Sequence, residues 1–155
     1  MKKAVCVAFG ALLFVIGLAL GTRIDKNPKV INNSTIENTL SEWEIMKLAI
    51  VKTESEFNPL AVGKSEDWGI FQITPIYVKE VNRILGEEKY SHEDAFNPEK
   101  SMAMFTIMQN HHNPENDIDR AIASHNPTAS SAYSVKVRKN MEFIRKYEEL
   151  RKLAR

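Results

Sequence analysis

Apolar residues recur at helical spacing along most of the chain, and no stretch alternates in the two-residue rhythm of a useful strand. Trp43, Met46, Ile50 and Val51 predict the core face of a first helix. Ser41, with Glu44 three residues on, has the form of a capping box, and Leu40 and Ile45 bracket it as a hydrophobic staple. Asn58-Pro59 stops further winding. Thr74-Pro75 opens a second helix as cap and first-turn proline, with Val78, Val81, Ile84 and Leu85 as its stripe and Gly86 as its end. Asn97-Pro98 opens a third, carrying Met102, Phe105, Ile107 and Met108. Asp117 caps a fourth through Ile118, Ala121 and Ile122, and Asn126-Pro127 interrupts it. From about Ala132 onward one long helix follows, with Val137, Met141, Ile144 and Leu150 on one side. The expectation is a mostly α protein: one compact domain of short helices, with no internal repeat.

The N-terminus departs from this pattern. Met1-Lys2-Lys3 is a short positive head, and Ala4 to Leu20 carries no charge. That apolar run exceeds the roughly 7–15 residues of an export-signal core and falls short of the ~20 that span a bilayer. Ala19 and Gly21 are small, so cleavage before Thr22 and retention as a membrane anchor both fit. Either way the lysines favour a cytoplasmic N-terminus and an exported domain. Residues 22–38 hold Pro28, Asn32, Asn33, Ser34 and Thr35 without periodicity and read as a tether. The expected division is therefore 1–21 signal peptide or anchor, 22–38 tether and 39–155 folded domain. Asn33-Ser34-Thr35 matches a glycosylation triplet, a pattern short enough to arise by accident.

The chain's 155 residues suffice for one domain with a real core, and its 26% charged and 43% hydrophobic composition is globular. A formal charge of +1 gives no pointer to nucleic acid as a partner. The C-terminal stretch from Lys136 to Arg155 is locally basic, but Glu142, Glu148 and Glu149 interrupt it, as on a solvated helix face. The lone cysteine, Cys6, lies in the apolar N-terminal run. The folded part then has no thiol nucleophile, disulfide or cysteine metal site. His92, His111, His112 and His125 show no metal-ligand spacing, and no metal or cofactor is expected. The His111-His112 pair is expected in a polar turn after the third helix.

Glu54 stands at the expected C-terminal end of the first helix, and Gly69-Ile70-Phe71-Gln72 follows at a fixed distance. The negative end of a helix dipole disfavours a carboxylate, as does an apolar setting supplied by Phe57 and Phe71. A carboxyl kept protonated near neutral pH serves as a general acid, and an amide wall opposite it suits a glycosidic bond. By spacing alone Glu54 also fits an ordinary surface glutamate. Trp43 and Trp68 are candidate sugar-stacking rings. Trp43 has core spacing, whereas Trp68 sits beside the motif turn.

Four ordered segments carry a resemblance. They are Glu54-Ser55-x-Phe57-Asn58-Pro59-x-Ala61, Gly69-Ile70-Phe71-Gln72-Ile73-Thr74-Pro75, Ala121-Ile122-Ala123-Ser124-His125-Asn126 and Tyr133-Ser134-Val135-Lys136-Val137. Together they resemble the Slt-type lytic transglycosylase domain of the lysozyme superfamily, related to goose-type lysozymes, over roughly residues 40–145. The resemblance implies a lysozyme-like helical domain with a cleft that cleaves the MurNAc–GlcNAc β-1,4 bond of peptidoglycan and leaves 1,6-anhydro-MurNAc ends. It implies Glu54 as the single catalytic acid and base. Phe71, Gln72, Asn126 and Tyr133 become substrate-binding residues, with Ser65 and His125 at positions where the pattern departs. His125 stands where the family usually has tyrosine, Gly63 replaces a common serine with Ser65 nearby, and Glu66-Asp67 replaces Gly-Ala.

The segment Ser65 to Ile73 is also similar to the strand-and-turn of animal-type lysozymes, which makes Asp67 a candidate second carboxylate and a hydrolysing muramidase the alternative. A loop aspartate that hydrogen-bonds backbone is the plainer role for Asp67. A wall-binding scaffold without turnover is a further alternative. The implied partners are peptidoglycan glycan strands and a secretion, conjugation or phage assembly, with membrane attachment through residues 4–20. The implied location is periplasmic, or anchored in the inner membrane facing the wall.

Overall fold

The computed structural model describes residues 39–128 and 131–154, so the expected signal or anchor and the tether lie outside the described residues. Five α-helices form the domain: α1 Glu42–Ser55, α2 Pro75–Leu85, α3 Pro98–His112, α4 Ile118–His125 and α5 Ser131–Leu153. A short 3-10 turn, His92–Phe96, precedes α3. Among the described residues, strand pairing is limited to isolated bridges joining Trp68 to Val62 and to Ile73. No helix of the described residues is long and apolar enough to cross a membrane.

The helix starts follow the expected local chemistry. The Ser41 hydroxyl accepts from Glu44 N–H, and the Glu44 carboxylate accepts from Ser41 N–H at 2.8 Å. Thr74, Asn97 and Asp117 each accept a first-turn N–H, and Pro75 and Pro98 occupy first-turn positions. Gly86 ends α2 in the left-handed region. His111 and His112 form the last turn of α3 rather than a turn beyond it, since the helix runs to His112 and Asn113 is its cap.

Phe71, Phe105, Met46, Ile50, Ile73 and Met104 are fully buried at the centre. α1 and α5 run antiparallel along one side. Arg145 forks onto Glu42 at one end, and Asn140 and Lys136 donate to Thr53 at the other. α3 buries Met104 and Phe105, and the half-buried Met102, Ile107 and Met108 pack against the same core. Buried Asn113 ties α3 to α4, donating to Asp117 O at 2.8 Å and accepting Asp117 N–H at 3.0 Å.

Leu150 requires a correction: it is 64% exposed, not core. Arg145 of α5 meets Glu42, the first residue of α1, and Leu150 lies more than a helical turn further along α5.

Candidate active site

Glu54 occupies the last turn of α1, whose end is anchored on both sides. The Ser55 hydroxyl shares its proton between Val51 O at 3.1 Å and Ile70 O at 3.0 Å, joining the helix end to the motif turn. Glu56 and Phe57 then take φ of 50° and 66°, a left-handed exit that few side chains adopt without strain. Phe57 is 47% exposed, so it does not furnish the apolar setting expected for the acid.

The motif turn is narrow for a reason visible at Gly69. Its φ is 74°, and a Cβ there would lie 1.8 Å from the Ala95 carbonyl oxygen. Only glycine fits. Trp68 and Ile73 exchange backbone bonds of 3.0 and 2.9 Å across the turn. Gln72 sits in the left-handed region with φ 49°. Its Nε2 donates to Gly69 O at 3.0 Å and reaches Ala61 O at 3.4 Å. The amide nitrogen is thereby committed to the loop, and the amide oxygen is the acceptor left for a ligand.

A cleft of about 660 Å³ runs along this turn, α2 and the end of α4. Glu54, Ser65, Asp67, Gln72, His125 and Asn126 all line it. Tyr133, on α5, does not line the cleft itself but reaches the site through Glu54, its hydroxyl donating to Glu54 Oε1 at 2.6 Å. The Phe71 ring does not reach the cleft. It is fully buried and stacks on Phe105 with centroids 4.5 Å apart, so substrate binding by that ring is corrected to a core role. Its carbonyl still serves the site by holding His125 Nε2 at 3.0 Å. Trp68 is no free sugar platform either, since His92 stacks on it at 3.8 Å and Phe96 at 4.9 Å.

Burial pushes the Glu54 carboxyl above the usual carboxylate range; its side chain is only 15% exposed. The Tyr133 hydrogen bond opposes that shift, the negative charge of Asp67 adds to it, and the Lys136 ammonium opposes it. Glu54 thus holds a proton more readily than a surface glutamate does. His125 Nε2 lies 3.7 Å from Glu54 Oε1, but the two do not form an ion pair. Burial drives the imidazole down to about 4, so it is neutral near pH 7, and its one N–H is spent on the Phe71 carbonyl.

Asp67 is held differently. Its Oδ1 accepts Ser65 N–H at 2.8 Å, and its backbone oxygen accepts Gly63 N–H at 2.7 Å. A Cβ on Gly63 would lie 2.0 Å from Asp67 Oδ2. The glycine that departs from the family pattern is therefore the space the aspartate carboxyl occupies. Among the described residues no His, Cys, Asp and Glu cluster is arranged to hold a metal ion.

Thr74, Tyr77, Glu80 and Met108 also line the cleft, and the sequence reading passed over them. A signal existed for two: Tyr77 and Glu80 are one helical turn apart, directly after the Gln72 motif. Glu80 is held down to about 2, chiefly by the Arg83 guanidinium, and it also receives His112 Nε2 at 3.1 Å.

A buried carboxyl bonded by a tyrosine shares one open groove with a backbone-braced glutamine, an arrangement suited to general acid catalysis. The family model of the transglycosylase SLT domain matches residues 31–147, and the chain belongs to that family. It is thus an enzyme of the peptidoglycan-cleaving transglycosylase kind. No curated protein and no solved structure matches the chain.

Proposed function

We propose that the enzyme is a lytic transglycosylase that cleaves the MurNAc–GlcNAc β-1,4 bond and leaves 1,6-anhydro-MurNAc ends. The observation that carries this reading is the buried, tyrosine-bonded carboxyl of Glu54 in the cleft of an SLT-family domain.

Protonated Glu54 gives its proton to the glycosidic oxygen as the C1–O bond breaks. The substrate's own acetamido oxygen closes on C1, the substrate-assisted route that needs no second carboxylate. Glu54, now a carboxylate, takes the proton of the C6 hydroxyl, and O6 displaces the acetamido oxygen from C1. The acid is regenerated and no water is consumed. Tyr133 steadies the carboxylate stage by its hydrogen bond, and Gln72 and Asn126 orient the sugar. The Met1-Lys2-Lys3 head and the apolar 4–20 run support a domain exported to the wall, periplasmic or held at the inner membrane. Local wall opening of this sort suits a secretion, conjugation or phage assembly.

A second reading, hydrolysis by a muramidase, draws on Asp67, which lines the same cleft and whose charge bears on Glu54. Digestion of purified wall followed by mass spectrometry separates the two. Anhydro ends are expected; reducing ends would transfer the enzyme to the hydrolase class. Wall binding without cleavage would leave a scaffold.

A further inference from the structure

The final carbonyls of a helix lack intrahelical donors and carry the negative end of its dipole. Glu54 sits in the last turn of α1, so on ionising it adds charge to an end that is already negative. The chain leaves through Glu56 and Phe57 in the left-handed region, and Asn58 N–H bonds back to Ser55 O at 2.9 Å. Thr53, the residue before Glu54, is served from another helix. Lys136 Nζ donates to Thr53 O at 3.1 Å, and Asn140 Nδ2 donates to Thr53 Oγ1 at 2.8 Å. The Thr53 hydroxyl gives its own proton to Ala49 O at 2.7 Å.

Tyr133, Lys136 and Asn140 follow one another at helical spacing and form one stripe of α5. The stripe grips two successive residues of α1, Thr53 and Glu54. Its middle member brings a positive charge. The other groups that bear on Glu54 bring none: Asp67 on the loop is negative, His125 on α4 is neutral near pH 7, and Tyr133 keeps its proton. Glu56 shares the field of Lys136 but has its own ion pair, with Lys52 at 2.7 Å. An exposed ammonium ordinarily wanders in solvent. The bond to a helix-end carbonyl keeps this one beside the acid.

We propose that Lys136 is a positioning residue for Glu54: it fixes the end of α1 through the Thr53 carbonyl and holds a positive charge near the carboxyl once its proton has left. This deepens the transglycosylase reading and rests on it. One carboxyl must there give up a proton and then recover one, so neither of its forms can be favoured too far. Burial and the charge of Asp67 favour the protonated form, as does the helix end. Lys136 and Tyr133 act on the other side of that balance. Lys136 does not line the cleft, so its effect falls on proton transfer rather than on substrate affinity.

Lys136→Met keeps an apolar stem and removes both the charge and the donor, whereas Lys136→Arg keeps both. Asn140→Ala loosens the same stripe with no change of charge. The three are compared with wild type by the pH profile of kcat/KM on purified wall. In Lys136→Met the high-pH limb is expected to move up by about 0.2–0.7 pH unit, the scale of one exposed charge, because Glu54 then holds its proton more tightly. Its kcat at the optimum is expected to fall about threefold with KM unchanged. Lys136→Arg is expected to keep the wild-type limb, and Asn140→Ala to melt lower with the limb unmoved. A Lys136→Met limb at the wild-type position, or an equal shift in Lys136→Arg or Asn140→Ala, would overturn the role. Should wild type leave the wall intact, the transglycosylase reading falls. The role is then judged on the Glu54 carboxyl itself, titrated by carbon-13 NMR with Glu54→Gln to assign its signal. An upward shift of that titration in Lys136→Met is expected, and no shift would overturn the proposal.

Discussion

Two of the cleft's carboxylates, Glu54 and Asp67, have different foundations. Glu54 projects from the last turn of α1, is packed among helices with only 15% of its side chain exposed, and accepts a hydrogen bond from Tyr133 on α5. Asp67 projects from the loop before the Gly69 turn and accepts a backbone N–H from Ser65, two residues away. The first is positioned by tertiary packing, the second by its own loop. Desolvation favours the protonated form, so the helix-borne carboxyl is the one equipped to carry a proton to a leaving group. The loop-borne carboxyl contributes its field, which strengthens the same tendency.

Glu54→Gln breaks the comparison most severely. Wall-clearing is expected to fall by roughly 10²–10⁴-fold, the usual scale for a general acid, with unchanged circular dichroism. Stability should move the other way. The folded-state pKa of Glu54 lies above its unfolded value of 4.5, so the protonated group is tolerated below that pH. The cost of burying its charge grows as pH rises through the folded-state value. Glu54→Gln is thus expected to melt higher than wild type at pH 7 and about equal to it at pH 4.

Tyr133→Phe comes next. Loss of the hydrogen bond that favours the carboxylate raises the Glu54 pKa further, so the high-pH limb of kcat/KM should shift upward. Activity at the optimum is expected to fall about tenfold, on the order of one hydrogen bond to a charged group. An unshifted limb would show that Glu54 is not the group titrating.

Asp67→Asn sharpens the contrast. Removing the charge lowers the Glu54 pKa, so that limb should shift downward, with a loss in rate of about tenfold or less. A loss as large as that of Glu54→Gln would favour the muramidase. The smallest effect concerns the loop alone. Gly63→Ala must displace the Asp67 carboxyl and is expected to cost about 1–3 kcal/mol of stability in a urea melt. In an Asp67→Ala background most of that cost should vanish, a coupling that a double-mutant cycle measures.

Much of this architecture was legible residue by residue along the chain. The caps at Ser41, Thr74 and Asp117 and the stop at Gly86 act within one helical turn, so their neighbours in sequence are their partners in space. The resemblance to the SLT family brought Glu54, Gln72, Asn126 and Tyr133 forward as a set. Periodicity alone grouped Leu150 with the buried side of α5, although it is exposed, because exposure depends on what lies opposite.

The amino-acid order by itself determined where helices begin, which carboxyl stands at a helix end and which glycine must turn at position 69. Only the tertiary structure decided that Tyr133 reaches Glu54 across 79 residues, that Phe71 belongs to the core and lends the site only its carbonyl, and that His125 is buried with its Nε2 held on that carbonyl. Caps and turns follow from contacts a few residues apart. Protonation and tautomer depend on burial and on partners from distant helices, which exist once the chain has packed.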